Sequence, residues 1–240
     1  LFECLALLFA VFKQTQSNST HGNKHNTSNR TSSQCGVKAI THLLVNKSYT
    51  VSAMSLEIIL GPMFSGKSSR ILSIVSRYSA LNVPILVIKH SADTRYSMTN
   101  EVVTHDGRRV PCIAVDHFVN ISDEELERFR VVIIEEGQFF TGLVPFVQKL
   151  VDGMGLDVFV VGLDGDFERQ PFGEILDCIP LADRVEKLYA LCRRCANGKP
   201  GIFTHRRGNN QDQVVVGGAN IYQALCRDCY HEVRALEYAS

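Results

Sequence analysis

The sequence predicts an α/β fold: a parallel sheet flanked by helices, followed by a small module built on paired cysteines. Three observations carry this prediction. From residue 56 onward, short continuous apolar runs alternate with segments of helical period. The first of these runs leads straight into a glycine-rich loop pattern. Near residue 190 the composition changes to Gly, Asn, Arg and paired cysteines. A strand that is apolar at consecutive positions is buried on both faces, the condition of a parallel sheet covered by crossover helices.

The elements follow in order. Residues 56–60 (LEIIL) read as a strand that stops at Gly61. Residues 67–80 carry Ile71, Ile74, Val75 and Tyr78 on one helical face. Residues 84–89 (PILVIK) read as a second strand. Ser122 and Glu125 have capping-box spacing and open a short helix through Phe129. Residues 131–134 (VVII) form a third strand, and residues 145–151 a helix stopped by Gly153 and Gly155. Residues 157–162 (DVFVVG) and 185–191 complete the set as strands four and five. No internal repeat is present.

At 240 residues the chain can hold one sizeable domain and a small appendage. Lysine and arginine number 25, as do aspartate and glutamate, so the basic surplus that a duplex nucleic acid favours is missing, and no nucleic-acid partner is expected. No segment approaches the roughly 20 apolar residues of a membrane span, and no membrane association is expected. The apolar run at residues 5–12 is only as long as a signal-peptide core.

Residues 1–53 read as a disordered, targeting or non-native extension. Residues 13–53 are rich in Ser, Thr and Asn and contain no acidic residue. Such a stretch cannot bury enough apolar surface to offset its ordering entropy. The first methionine is Met54. Three readings compete: upstream sequence with the native start at Met54, an organelle-targeting peptide, and a secretory leader whose sequons are Asn18, Asn26 and Asn29. The expected location is the cytoplasm, with organelle targeting by residues 1–53 as the alternative.

The strongest motif is Gly61-Pro62-Met63-Phe64-Ser65-Gly66-Lys67-Ser68, which fits G-x-x-x-x-G-K-[ST] between a predicted strand and a predicted helix. Glycines let successive N–H groups point into one concavity, and the helix N-terminus adds positive charge. Lys67 then reaches the β- and γ-phosphates, while the Ser68 hydroxyl ligates Mg²⁺. The fold expected for residues 55–190 is therefore a sheet like that of the P-loop NTPases. Glu135 and Glu136 end the third strand. One acid beside the loop can hold the metal and a second can take a proton from an attacking hydroxyl.

Cys192 with Cys195 and Cys226 with Cys229 form two C-x-x-C pairs separated by thirty residues. Four thiolates at this spacing suit a closed tetrahedral structural zinc site, leaving no open position for catalysis. Two disulfides or free thiols are the alternatives. The intervening residues form a long loop pinned at its base, within which residues 214–216 read as a short strand.

Five blocks in order resemble the zinc-containing thymidine kinases: GPMFSGKSS, residues 93–96 (DTRY), residues 135–140 (EEGQFF), residues 163–173 (LDGDFERQPFG), and the two cysteine pairs. The resemblance covers about residues 55–232. It implies transfer of the γ-phosphate of ATP to the 5′-hydroxyl of thymidine, giving dTMP and ADP for pyrimidine deoxynucleotide salvage and DNA synthesis. It implies Glu136 as general base and Arg95 as the cation on the moving phosphoryl. It places Met63, Phe139, Leu163, Phe167, Phe172, Thr204 and Tyr222 around the nucleoside. Residues 191–235 become a zinc-binding lasso domain, with Val216, Gly217 and Gly218 in its main-chain grip on the base. It further implies Mg²⁺ as cofactor, a homotetramer and feedback inhibition by dTTP.

The family usually has aspartate where this chain has Glu135. The extra methylene implies a shifted or water-bridged ligand sphere, with weaker Mg²⁺ binding or lower turnover. Ser69 stands where the family often has threonine. Three rivals remain at this level: a kinase for another nucleoside, a pseudoenzyme failing at Glu135, and a nucleic-acid-stimulated ATPase using Arg193, Arg194, His205, Arg206 and Arg207.

Overall fold

The computed structural model describes residues 54–91, 101–103, 107–208, 210 and 212–238. The readings made on residues 1–53 and on Arg95 lie outside the described residues.

Strand β1 (Ser55–Leu60) passes through the phosphate loop into helix α1 (Lys67–Ser79), and β2 (Ile85–His90) follows. A small antiparallel hairpin, β3 (Glu101–Val103) with β4 (Arg109–Pro111), precedes β5 (Ile113–Val115). Then come α2 (Asp123–Leu126), β6 (Val131–Glu135), α3 (Leu143–Gln148) and β7 (Asp157–Gly162). A π-helical turn, Lys149–Gly153, extends α3, and a 3-10 segment, Ile175–Leu181, leads to β8 (Arg184–Lys187).

Among the described residues a six-stranded sheet forms in the order β5-β2-β6-β7-β1-β8. Every neighbouring pair in it is parallel. The apolar runs explain this arrangement. Leu60, Ile134, Val158 and Val160 face a core shared with Leu143 and Val147 of α3. The alternate residues Ile59, Ile133, Phe159 and Val161 face a second core shared with Ile71 and Ile74 of α1. With both faces covered, neither face can be polar, and period-2 alternation disappears from the sequence.

Three elements differ from expectation. Ser122 caps α2, its Oγ accepting from the Glu125 amide at 3.2 Å, but the α-helix ends at Leu126 instead of Phe129. The amides of Arg128 and Phe129 bond three residues back, tightening the chain toward β6. The run at 185–191 divides in two. Leu188 still donates to the Leu60 carbonyl at 2.8 Å, and the chain then leaves the sheet. Its continuation, β9 (Ala190–Leu191), pairs antiparallel with β10 (Pro200–Gly201). Residues 214–216 are not a strand; the ladder beyond the cysteine pair is instead β11 (Phe203–Arg206) with β12 (Tyr222–Leu225). Helix α4 (Arg227–Tyr238) closes the described chain, and none of the described helices is long and apolar enough to cross a membrane.

Ile134 is fully buried, whereas Val119 is 89% exposed. Ile134→Ala is expected to lower the unfolding free energy by about 2–5 kcal/mol, and Val119→Ala by no more than about 0.5 kcal/mol. Denaturant titration of both variants checks this.

Candidate active site

The carboxyl ends of β1, β6 and β7 lie side by side, because β7 pairs with both β1 and β6. Ligands of open parallel sheets bind at such ends. Here β1 releases the phosphate loop, β6 delivers Glu135 and Glu136, and β7 delivers Leu163.

The loop closes tightly on itself. A Cβ on Gly61 would lie 2.8 Å from the Leu188 carbonyl oxygen, so only glycine fits where the loop passes β8. Gly66 (φ 86°) and also Phe64 (φ 66°) are left-handed, so one bend falls on a residue with a side chain. Lys67 Nζ donates to the carbonyls of Gly61 (3.0 Å) and Pro62 (2.9 Å). Helix α1 has no side-chain cap at Gly66, leaving its first-turn amides available to an anion. A cavity with about 1180 Å³ of empty space, part of it open solvent, lies over this loop. Residues 63–69 line it with Val103, Glu136, Arg193 and Ala219.

Ser68 Oγ donates to Glu135 Oε1 at 3.2 Å. Two cis ligands of an octahedral Mg²⁺ at 2.1 Å lie about 3.0 Å apart. The two oxygens thus lie close to the spacing of such an edge, and these residues fit that ion.

Glu136 follows the last residue of β6 and is turned left-handed (φ 52°, ψ 46°), and the residue is 8% exposed. Gln138 holds it. Gln138 Nε2 donates to Glu136 Oε2 at 2.6 Å, and Gln138 Oε1 accepts from the Leu163 amide at 3.0 Å. Two glycines make room for Gln138, one for its side chain and one for its main chain. A Cβ on Gly162 would meet Gln138 Oε1 at 2.3 Å, and one on Gly173 (φ 60°) would meet the Gln138 carbonyl oxygen at 2.1 Å.

A second cavity, with about 560 Å³ of empty space, part of it open solvent, adjoins the first, and Met63 lines both. Of the residues expected around a nucleoside, Met63, Phe139, Leu163, Phe167, Phe172, Thr204, Val216, Gly217 and Tyr222 line it. Gly218 does not; its carbonyl accepts from the amides of Ile221 and Tyr222, closing the turn into β12. The Phe139 and Phe172 rings meet edge to face at 5.5 Å. Met63 N donates to Thr204 Oγ1 at 3.0 Å, tying the phosphate loop to β11. Tyr222 OH donates to the Val215 carbonyl at 2.7 Å, which holds residues 214–216 as an extended wall instead of a paired strand.

Asp166, Gln213, Val214 and Val215 also line this cavity and were not legible as site residues. Asp166 Oδ1 accepts from the amides of Glu168 and Gln170, both at 2.9 Å, and Oδ2 accepts from Gln213 Nε2 at 2.9 Å. The local signal was the Asx-turn chemistry of Asp166 within 163–173. Gln138, within 135–140, had no local signal.

The four sulfurs of Cys192, Cys195, Cys226 and Cys229 lie within 4.8 Å of one another. Tetrahedral zinc with bonds of 2.3 Å places sulfurs about 3.8 Å apart, so the cluster fits a metal of that size. Burial raises the Cys192 thiol, but hydrogen bonds from the Cys226, Cys195 and Arg194 backbones outweigh it and bring the group down to about 6.

The cations between and beside these cysteines do not form one face. Arg194 pairs with Glu232 at 3.4 Å. His205 is buried between Glu237 (2.9 Å) and Gln223 (3.2 Å), and burial holds its imidazole below the ordinary value despite Glu237. Arg206 lies over the Phe167 ring at 3.6 Å and donates to the carbonyls of Asn210 and Asp212. Arg207 bonds Gln223 at 3.1 Å.

Known proteins share this stretch of sequence. A family model described as Thymidine kinase matches residues 54–230. The thymidine kinase of Myxoma virus (strain Lausanne) is 39% identical over 178 residues, covering 73% of this chain and 95% of the viral protein. The cytosolic thymidine kinase of Homo sapiens is 39% identical over 175 residues, covering 73% of this chain and 72% of the human one. That of Gallus gallus is 37% identical over 185 residues, covering 77% and 80%. The matched stretch takes in both cavities and all four paired cysteines, and the chain belongs to the thymidine kinase family.

Proposed function

We propose that this chain is an ATP-dependent thymidine kinase, forming dTMP and ADP for deoxynucleotide salvage. One observation carries the reading beyond family membership. An apolar, aromatic slot and a phosphate-loop cavity adjoin at Met63, so an acceptor and a phosphoryl donor can meet there. The slot offers Phe139, Phe172 and Leu163 to a flat ring with a methyl group.

In this reading the thymidine 5′-oxygen attacks the γ-phosphorus in line, the bond to the β-phosphate oxygen breaks, and ADP leaves. Glu136 takes the hydroxyl proton; its place among the residues lining the phosphate cavity supports this. The loop amides and Lys67 cradle the triphosphate, and Arg95 steadies the transferring group. Ser68 and Glu135 hold Mg²⁺, which when bound offsets charge on the β- and γ-oxygens. Zinc on Cys192, Cys195, Cys226 and Cys229 is structural and anchors the lasso, residues 191–235, beside the kinase domain, residues 55–190. Val216 to Gly218 supply main-chain groups to the base. The joined cavities also suit dTTP as feedback inhibitor, with thymine in the slot and its phosphates over the loop. A homotetramer and a cytoplasmic location complete the reading. Exposed Val185, Tyr189 and Leu191 beside the β8 edge support self-association, and the human and chicken relatives are named cytosolic.

The test is transfer from ATP to labelled thymidine by the full chain. Glu136→Gln is expected to lower kcat about 10²–10⁴-fold, the contribution of a general base, with ATP binding retained; dTMP formation at the wild-type rate would remove Glu136 from this role. Glu135→Asp draws the carboxylate back from Ser68 by about 1.5 Å, one C–C bond. The Mg²⁺ concentration for half-maximal rate is then expected to rise about threefold or more, through loss of the near-ideal ligand spacing. An unchanged Mg²⁺ titration would dismiss Glu135 as a ligand.

A further inference from the structure

Arg193 sits between two cysteines of the metal cluster, yet its side chain lines the phosphate-loop cavity. The residues lining that cavity include two cations, Lys67 and Arg193, and one carboxylate, Glu136. Lys67 spends hydrogen bonds on the loop carbonyls of Gly61 and Pro62. Among the described residues the Arg193 guanidinium has no ion pair, hydrogen bond or ring contact. This exposed arginine is thus a charged donor at the wall of the phosphate-loop cavity, with no partner of its own among the described residues.

The backbone beneath it is fixed. Arg193 N donates to the Ala224 carbonyl on β12 at 2.9 Å, and Cys192 N to the Lys199 carbonyl at 2.8 Å. Ala196 N closes the turn onto the Cys192 carbonyl at 3.1 Å, in a left-handed bend at Ala196 (φ 49°). Its neighbour Arg194 points elsewhere, bonding the Cys229 carbonyl and Glu232, each at 3.4 Å. Adjacent arginines on one turn thus have separate roles: Arg194 ties the turn to α4, and Arg193 faces the phosphate loop.

We propose that Arg193 is a nucleotide-binding residue: its guanidinium contacts the phosphates of bound ATP, carried to them by the metal-bound cysteine turn. The inference rests on the reading that this cavity holds the triphosphate. It makes the cysteine cluster part of the nucleotide site as well as the anchor of the nucleoside loop. A planar guanidinium offers two parallel N–H donors to phosphate oxygens, and lysine keeps only the charge.

The experiment uses the metal-loaded full chain as wild type, Arg193→Gln, Arg193→Lys and Arg194→Gln. Measured are the KM for MgATP, the KM for thymidine, and ATP binding by calorimetry without thymidine. Arg193→Gln is expected to raise the KM and Kd for ATP about fivefold to tenfold, the effect of losing a charge-assisted contact at an open site. The thymidine KM stays within twofold, Arg193→Lys recovers part of the loss, and Arg194→Gln leaves ATP affinity unchanged. Wild-type ATP KM and Kd in Arg193→Gln would overturn the proposal. So would an equal rise in both KM values, which marks a displaced turn. If the wild type forms no dTMP, the kinase reading fails, and the calorimetric comparison alone decides the role of Arg193.

Discussion

A single buried side-chain amide, that of Gln138, joins the two strand ends on which the site is built. Its N–H binds the Glu136 carboxylate after β6, and its oxygen receives the Leu163 amide after β7. Both bonds lie in the protein interior, where an unpaired amide or carboxylate is costly, so the two must form together. The result is an acidic side chain held at the rim of the phosphate cavity in a left-handed backbone turn that other sequences rarely adopt. The glycine at 162 is required by the same amide, since a Cβ there would run into its oxygen, and the glycine at 173 by the Gln138 main chain. The carboxylate orientation and the glycine at 162 thus share one cause.

The second constraint is that neither cavity is complete within the parallel sheet. Phe139, Leu163 and Phe172 come from the strand ends, but Thr204, Tyr222 and the wall at 214–217 come from beyond the first cysteine pair. The Thr204 hydroxyl and the Met63 amide bridge the halves at the point where the two cavities meet. The four cysteines, close enough to hold one metal ion, therefore stand at the base of a loop that closes the aromatic cavity. Loss of the cluster removes a wall of the site and not merely an appendage.

Much of this was legible in the sequence. The phosphate loop could be read because its chemistry is local: glycines, a lysine and a hydroxyl at set offsets between a strand and a helix. The strands at 131–135 and 157–162 could be read because burial on both faces leaves continuous apolar runs. The cysteine spacing pointed to a metal for the same local reason. What escaped depends on partners distant in sequence. Strand β5 is short and half-buried, and exists because β2 offers an edge. Residues 214–216 have the side chains of a strand but no edge to join, and the Tyr222 hydroxyl takes one of their carbonyls instead. Gln138 reads as an ordinary polar residue ahead of two aromatics until Leu163, twenty-five positions later, is placed beside it. The sequence leaves open where the longer glutamate at 135 puts its carboxylate; it reaches the Ser68 hydroxyl, at 3.2 Å.

The most direct test of the Gln138 account is kcat for thymidine phosphorylation by Gln138→Leu, which removes both hydrogen bonds while keeping the volume close. On this account the Glu136 carboxylate loses its alignment, and kcat should fall at least about tenfold with ATP binding retained. A folded Gln138→Leu enzyme with the wild-type kcat would contradict the account, and would show that Glu136 is positioned by something other than this amide.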